Sequence, residues 1–241
     1  MKDIHSHILF SIDDGSKSLE ESLEILKKAE KEGITDIMLT PHYIHSSNYS
    51  ANNYDKILKT NMLLQAMNNE NIKINLYLGN EVYIDDNILA LIKTGEVATL
   101  NGSRYVLMEL PFMNQVQNLK EIIFELVRNG YIPIIAHPER YNFVQKNPSI
   151  LEEYLEMGAL FQGNYQSLWK RYGKKARKTL KILLKNNMIQ FLASDIHKQT
   201  EKYNRKKLYR KVFKLVKNKK KVEDLLERNF DKVIRNEAIS I

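Results

Sequence analysis

Ile132-Pro133-Ile134-Ile135-Ala136-His137-Pro138-Glu139-Arg140 is the stretch whose reading decides the fold. Its first five residues are apolar on successive positions rather than alternating, which suits a parallel strand buried on both faces. A histidine ends the run, and an acid and a base follow. Upstream, 118–128 has a helical pattern stopped by Asn129-Gly130. Before that helix lies another apolar run, 104–110, which ends in Met108-Glu109-Leu110. Strand, helix and strand in this order make a right-handed crossover unit, with a polar candidate at the end of each strand.

The unit recurs along the chain. Apolar runs at 4–9, 35–39, 72–78, 104–110, 132–136, 159–162 and 188–193 read as seven strands. Helical patterns separate them. Ser18-Leu19-Glu20-Glu21 opens the first, with Ser18 as N-cap and Glu21 at the reciprocal position of a capping box, and Gly33 ends it. Further helices are expected at 53–67, 118–128, 148–157, 174–185, 201–216 and 222–230. Alternating strands and helices predict an α/β fold whose parallel strands close into a barrel with helices outside. No repeat or low-complexity linker breaks the chain, so 1–241 is expected to be one domain, with the basic helical segment 201–241 packed on the barrel.

Composition excludes several chemistries. The 241 residues contain no cysteine, which rules out disulfides, thiolate nucleophiles and zinc–thiolate sites. Met1-Lys2-Asp3-Ile4-His5 has no apolar signal core, and no apolar stretch approaches the ~20 residues that span a bilayer. The expectation is a soluble cytoplasmic protein. The formal charge of +8 is local: residues 201–221 hold eleven Lys or Arg and one acid, leaving the rest near −2.

Five of the six histidines lie in short motifs at strand ends: Asp3-Ile4-His5-Ser6-His7, Thr40-Pro41-His42, Ala136-His137-Pro138 and Ser194-Asp195-Ile196-His197. Gly79-Asn80-Glu81 and Glu109 occupy equivalent places. In a closed parallel barrel these ends converge on one mouth. His5 and His7 are two apart on an extended segment and face the same way, as do Asp195 and His197. A carboxylate such as Glu81 can bridge two ions. A cluster of metal ions, and therefore hydrolysis, is the common purpose. Imidazole and carboxylate without sulfur suit Mn, Fe or Zn. His45 is read as a loop residue. Asp13-Asp14-Gly15 alone reads as an Asx-type turn.

These motifs, with Ile12-Asp13-Asp14-Gly15, Gly79-Asn80-Glu81-Val82-Tyr83, Glu109-Leu110-Pro111 and His137-Pro138-Glu139-Arg140-Tyr141, resemble the PHP (polymerase and histidinol phosphatase) superfamily. Within it they resemble the bacterial capsular-polysaccharide-type tyrosine-protein phosphatases. The resemblance runs from Asp3 to His197. It implies a distorted (β/α)7 barrel and a trinuclear, manganese-dependent site. By that resemblance His5, His7, Glu81 and Asp195 hold one ion. Glu81, Glu109 and His137 hold a second, with Glu81 bridging, and Asp14, His42 and His197 hold a third. It also implies a phosphotyrosine substrate on an autophosphorylated tyrosine kinase of capsule or exopolysaccharide synthesis.

The expected chemistry is phosphomonoester hydrolysis by a metal-bound hydroxide, which needs no covalent intermediate. Arg140, three residues after His137, is the candidate phosphate clamp; its bland alternative is an ion pair with Glu139. Tyr43, Tyr141 and Tyr165 follow strand ends and are read as capping the rim. In the basic segment, Tyr209, Val212, Phe213 and Val216 are expected to pack on the barrel, 217–221 to form a loop, and the charges to face solvent. Attraction of 201–221 to something acidic is a sharper alternative: a tyrosine-rich kinase tail with several phosphates, an anionic membrane face or nucleic acid. A small-molecule phosphatase resembling one for histidinol phosphate is the runner-up function. A nuclease is disfavoured for want of a stacking platform, and a non-catalytic module by the intact ligand set. A homo-oligomer is left open.

Overall fold

The computed structural model describes residues 1–50, 53–201 and 203–240; Ala51, Asn52, Ile241 and Lys202, one lysine of the basic segment, lie outside the described residues. Among the described residues the strands are β1 (Lys2–Asp3), β2 (Asp36–Leu39), β3 (His42–Tyr43), β4 (Asn75–Leu78), β5 (Glu81–Tyr83), β6 (Tyr105–Glu109), β7 (Ile132–Ala136), β8 (Leu160–Asn164) and β9 (Phe191–Ala193). Every pairing is parallel. One sheet has the order β1-β2-β4 and the other β3-β5-β6-β7-β8-β9.

These strands trace seven paths. β2 and β3 are one path broken at Thr40-Pro41; β4 and β5 are one broken at Gly79-Asn80. Pro41 has no N–H to give a ladder. At Gly79 a Cβ would lie 2.6 Å from Leu100 Cδ2 and 3.3 Å from its Cα, so a side chain there would push Leu100 aside. The two ends of the series meet. Asp195 N donates to His5 O at 3.0 Å, His7 N donates to Ile196 O at 2.9 Å, and Ser6 and Ile196 form a parallel bridge. The architecture is the expected distorted barrel of seven parallel strand paths with helices outside.

Side-chain parity explains the continuous apolar runs. On β6, Tyr105 and Leu107 join an inner cluster with Met38, Ile134, Leu160 and Phe191, while Val106 and Met108 join the outer layer under the helices. Both faces are buried, so both must be apolar.

Several boundaries differ from expectation. Regular pairing of the first strand covers Lys2–Asp3, with one further bridge at Ser6, rather than 4–9. The chain after His7 folds back on itself, with Ser16 N donating to His7 O at 3.0 Å. β8 runs on to Asn164, past the expected end at 162. Ser18 caps the helix Leu19–Lys31 as expected, accepting from Glu21 N, but Glu21 reaches Lys17 N rather than closing the capping box. The buried stripe of the helix Arg205–Val216 is Leu208 and Val212. Tyr209 and Val216 pack partly buried on the core as expected, but Phe213 is 42% exposed, because the helix turns the Leu208–Val212 stripe inward and carries Phe213 off it. The expected loop at 217–221 shrinks to Lys217 and Asn218, and Asn218 caps a helix at Lys219–Glu223. No helix among the described residues is long and apolar enough to cross a membrane.

The chain's last helix, Asn229–Ile234, seals the end of the barrel opposite the ligand motifs. Phe230 and Val233 enter the inner cluster, and Phe230 meets Tyr77 edge-on at 5.5 Å. Lys2 pairs with Asp231 and Asp36, and its ammonium lies over the Phe230 ring. Phe230→Ala should cost about 3–5 kcal/mol of stability, seen as a lower urea midpoint. An unchanged midpoint would contradict the seal.

Candidate metal centre

Strand parity delivers the polar cluster. Glu109 follows Tyr105 and Leu107 on the inward face of β6, and Gln162 and Asn164 follow Leu160 inward on β8. β3 and β5 pair His42 directly with Glu81. His137 and Asp195 fall just beyond β7 and β9, with left-handed backbones of φ 32° and 52°. Non-glycine residues rarely adopt this conformation, which costs roughly 1–3 kcal/mol and gathers at functional sites.

All nine sequence-selected side chains converge at the C-terminal rim, with Glu81 at the centre. Its Oε2 lies 3.2 Å from His5 Nε2, 3.2 Å from His7 Nε2 and 3.1 Å from His42 Nδ1. Its Oε1 lies 3.0 Å from His137 Nε2. Glu109 is 3.6 Å from His137 and 4.0 Å from His42. Asp195 Oδ1 is 3.5 Å from both His5 and His7, and 3.4 Å from His197. Asp14 Oδ1 is 3.6 Å from His42 and 3.5 Å from His197. His45 is exposed in a turn, outside the cluster.

The cluster fits cations better than hydrogen bonds. Glu81 Oε2 and His42 Nδ1 are close, yet both are buried without a hydrogen-bond partner among the described residues. His5 Nε2 and His7 Nε2 face each other at 3.1 Å. Three sets of donor atoms lie close enough to share an ion: His5, His7 and Glu81; His42, Glu81 and Glu109; and His7, Asp14, His42 and His197. Glu81, His42 and His7 each belong to two sets, so the sets overlap more than the motif resemblance implies.

Residues that the sequence reading passed over orient the imidazoles. Asp13 Oδ2 bonds His7 Nδ1 at 2.7 Å and accepts from His42 N at 2.9 Å, while its Oδ1 closes the Asx turn on Gly15 N. Gln162 Oε1 bonds His5 Nδ1 at 2.7 Å, and Asn164 Nδ2 donates to Asp195 Oδ2 at 2.9 Å. Such partners fix ring orientation and leave the opposite nitrogen for a ligand. Gly15 permits the loop: a Cβ there would lie 2.1 Å from His7 O. Gln162 and Asn164 were visible in principle, as polar residues in step with inward-facing Leu160.

Arg140 does not pair with Glu139. Its Nη1 donates to Asp195 Oδ2 at 2.9 Å, and its guanidinium lies between Phe112 (4.5 Å) and Tyr172 (4.3 Å). Glu139 is buried and accepts from Ser167 Oγ and Asn164 N. Arg140 faces a pocket of about 420 Å³, beside Asp14, Lys17, Tyr172, Asp195 and His197. Tyr43, Tyr141 and Tyr165 are buried; Tyr172 lines the mouth, and Tyr49 stacks against the His42 ring at 6.2 Å.

Burial and mutual charge divide the protons. Burial alone would lower His5, but Glu81 and Asp195 overcome it and raise it to about 9. Burial, then Glu81, pushes Glu109 up to about 8. Burial, aided by Arg140, lowers His137 to about 4. Burial would raise Glu81, but the His5 and His42 imidazoles hold it well below the usual carboxylate range.

The site is a buried imidazole–carboxylate cluster on the C-terminal rim of a parallel α/β barrel, an arrangement suited to metal ions. The chain belongs to the CpsB/CapC family of capsular polysaccharide synthesis, whose sequence model matches residues 1–235. CapC of Staphylococcus aureus is 39% identical across the whole chain and 93% of its own length. A chain from the crystal structures of YwqE from Bacillus subtilis and CpsB from Streptococcus pneumoniae, described as metal-dependent tyrosine phosphatases, superposes with a TM-score of 0.92. It is 29% identical, and the match covers all of this chain and 96% of that one. Histidinol phosphate phosphatase from Lactococcus lactis, solved with zinc, L-histidinol and phosphate, shares the fold (TM-score 0.60, 17% identity, 93% and 94% covered).

At pH 7 the metal-free cluster holds protons on His5 and Glu109, both with values above that pH. A cation must displace them, so loading with manganese should release protons, and affinity should fall as pH drops. Calorimetric titration in two buffers of different ionisation enthalpy reads this directly. Zero net release at pH 7 would contradict the proton assignment.

Proposed function

We propose that the chain is a metal-dependent phosphomonoesterase that hydrolyses phosphotyrosine in proteins. The observation that carries this is the Glu81-centred cluster beside Arg140 in an open pocket, in a chain of this family. In this reading His5, His7, Glu81 and Asp195 hold one ion, Glu81, Glu109 and His137 a second, and Asp14, His42 and His197 a third. Manganese is the proposed metal; the donor set also suits iron or zinc. The protein acts in the cytoplasm as one unit over 1–241. Its proposed substrate is an autophosphorylated tyrosine kinase of capsule or exopolysaccharide synthesis.

Bound ions would supply Lewis acidity, neutralising phosphate charge and making water a competent nucleophile near pH 7. The chain's own residues do the rest. Arg140 spends one N–H on Asp195 and keeps others for phosphate oxygens. Phe112 and Tyr172 hold its plane, so little rotamer freedom is lost on binding. Asp13, Gln162 and Asn164 keep the ligand side chains in place. Tyr172 offers its ring at the mouth, where the substrate's aromatic side chain would lie. Phenolate, with a pKa of ~10, leaves without a dedicated acid.

The test is an assay of purified protein with manganese on a phosphotyrosine peptide, a phosphoserine peptide, histidinol phosphate and single-stranded DNA. Phosphotyrosine should be hydrolysed in preference, and a chelator should abolish the activity. His5→Ala, Glu81→Ala and Asp195→Ala should each fall to background, while His45→Ala keeps wild-type activity. Full activity in Asp195→Ala sinks the cluster; preference for histidinol phosphate sinks the protein substrate.

A further inference from the structure

The helices Gly173–Lys185 and Arg205–Val216 carry six Lys or Arg each and no acid. They pack against each other. Of these twelve cations only Arg205 has an ion-pair partner among the described residues, namely Glu227. The other eleven have no ion-pair partner among the described residues; Lys211 donates instead to the Leu168 carbonyl at 2.7 Å. Surface helices ordinarily intersperse opposite charges, since like charges crowded together repel. The bases of one helix also face those of the other. Burial, then Arg177, Lys181 and Lys207, lowers the pKa of Lys211.

Unsatisfied donors mark the same place. Trp169 Nε1 and Arg177 Nε are buried without an acceptor among the described residues. Lys211 lies 4.5 Å and Lys207 5.7 Å from the centre of the Trp169 ring. Buried donors without an acceptor are rare in folded proteins and single this place out from the rest of the surface.

The basic surface also runs to the candidate site. Arg171 and Glu201 line both the pocket that holds Arg140 and an adjoining cavity of about 330 Å³ with Trp169 and Lys207. Arg171 and Arg140 both stack on Tyr172, at 5.6 Å and 4.3 Å. A track of cations and aromatic rings therefore leads from the mouth to the two helices.

We propose that this track docks an acidic segment of the protein substrate, next to the phosphotyrosine that enters the pocket. The proposal rests on the phosphotyrosine reading above. Carboxylates of the segment neutralise Lys207, Lys211, Lys181 and the Arg177 guanidinium, and the Trp169 ring lies beneath the two lysines Lys207 and Lys211 that receive them. A peptide suits the surface better than a lipid bilayer, because the track starts at the pocket and passes through a cavity rather than a flat face.

The manganese-loaded full chain is assayed on two phosphotyrosine peptides of equal length, one flanked by Asp and Glu, the other by Asn and Gln. At low ionic strength the acidic peptide should have a KM roughly tenfold lower, and high salt should erase the difference. The triple variant Arg177→Gln, Lys207→Gln, Lys211→Gln should raise that KM to the neutral peptide's value. Its kcat, and its turnover of p-nitrophenyl phosphate, should match wild type. Equal KM for both peptides in wild type, or discrimination kept in the variant, overturns the proposal. So does tight binding of phosphatidylglycerol vesicles with no peptide discrimination, which makes the surface a lipid one. If no phosphotyrosine is hydrolysed, the functional reading fails by itself. Docking is then read from fluorescence anisotropy of the unphosphorylated Asp/Glu peptide, whose binding the triple variant should lose.

Discussion

The buried carboxylate of Glu81 is the constraint on which the rest depends. Four imidazoles lie within 3.2 Å of its two oxygens, and the carboxylate itself is buried. A charge removed from solvent is expensive unless it is paired or coordinates a cation. The surrounding fold can be understood as what holds that carboxylate and its neighbours in register. The breaks at Thr40-Pro41 and Gly79-Asn80 fall on adjacent paths and set His42 opposite Glu81. Asn80 joins the two breaks, donating to Pro41 O and accepting from Ala98 N. Lys56 donates to Asn80 from inside the protein without an ion pair among the described residues, and burial lowers it to about 8. A lysine kept buried at that cost is consistent with Asn80 having to stay in place.

The same constraint accounts for the irregular backbone. His137 and Asp195 take left-handed conformations directly after regular strands. Hydrogen bonds on both sides hold them: Arg140 N donates to His137 O, and Asp195 N donates to His5 O. The strain is local and the scaffold that opposes it is extensive, with a packed barrel interior below and a sealed far end.

Much of this was legible in the sequence, for a physical reason. Strands buried on both faces need unbroken apolar runs, so a histidine or acid ending such a run stands out, as His137 and Glu109 do. Glu81 and Asp195 were found the same way. Gln162 was missed because it closes the expected strand 159–162, and Asn164 because β8 carries on past that end with polar side chains that only the cluster makes useful. Asp13 was read only as a turn residue, and it is one; its second oxygen orients His7. Phe112 and Tyr172 could not be found from spacing, since loops from distant parts of the chain bring them to Arg140. Phe213 was placed inward by helical spacing, which fixes a periodicity but not its phase. The charge concentration was seen at 201–221, but its neighbour across the packing, Gly173–Lys185, is brought beside it only by the fold.

The most direct measurement is the number of metal ions held per chain, by elemental analysis after desalting, in wild type and in Glu81→Gln, with circular dichroism as the check on folding. The account predicts that wild type retains more than one manganese ion per chain. The variant, equally folded and nearly isosteric, should lose the two ions that share Glu81 and keep at most the one held by Asp14, His42 and His197. A folded Glu81→Gln protein with the wild-type ion count would contradict it.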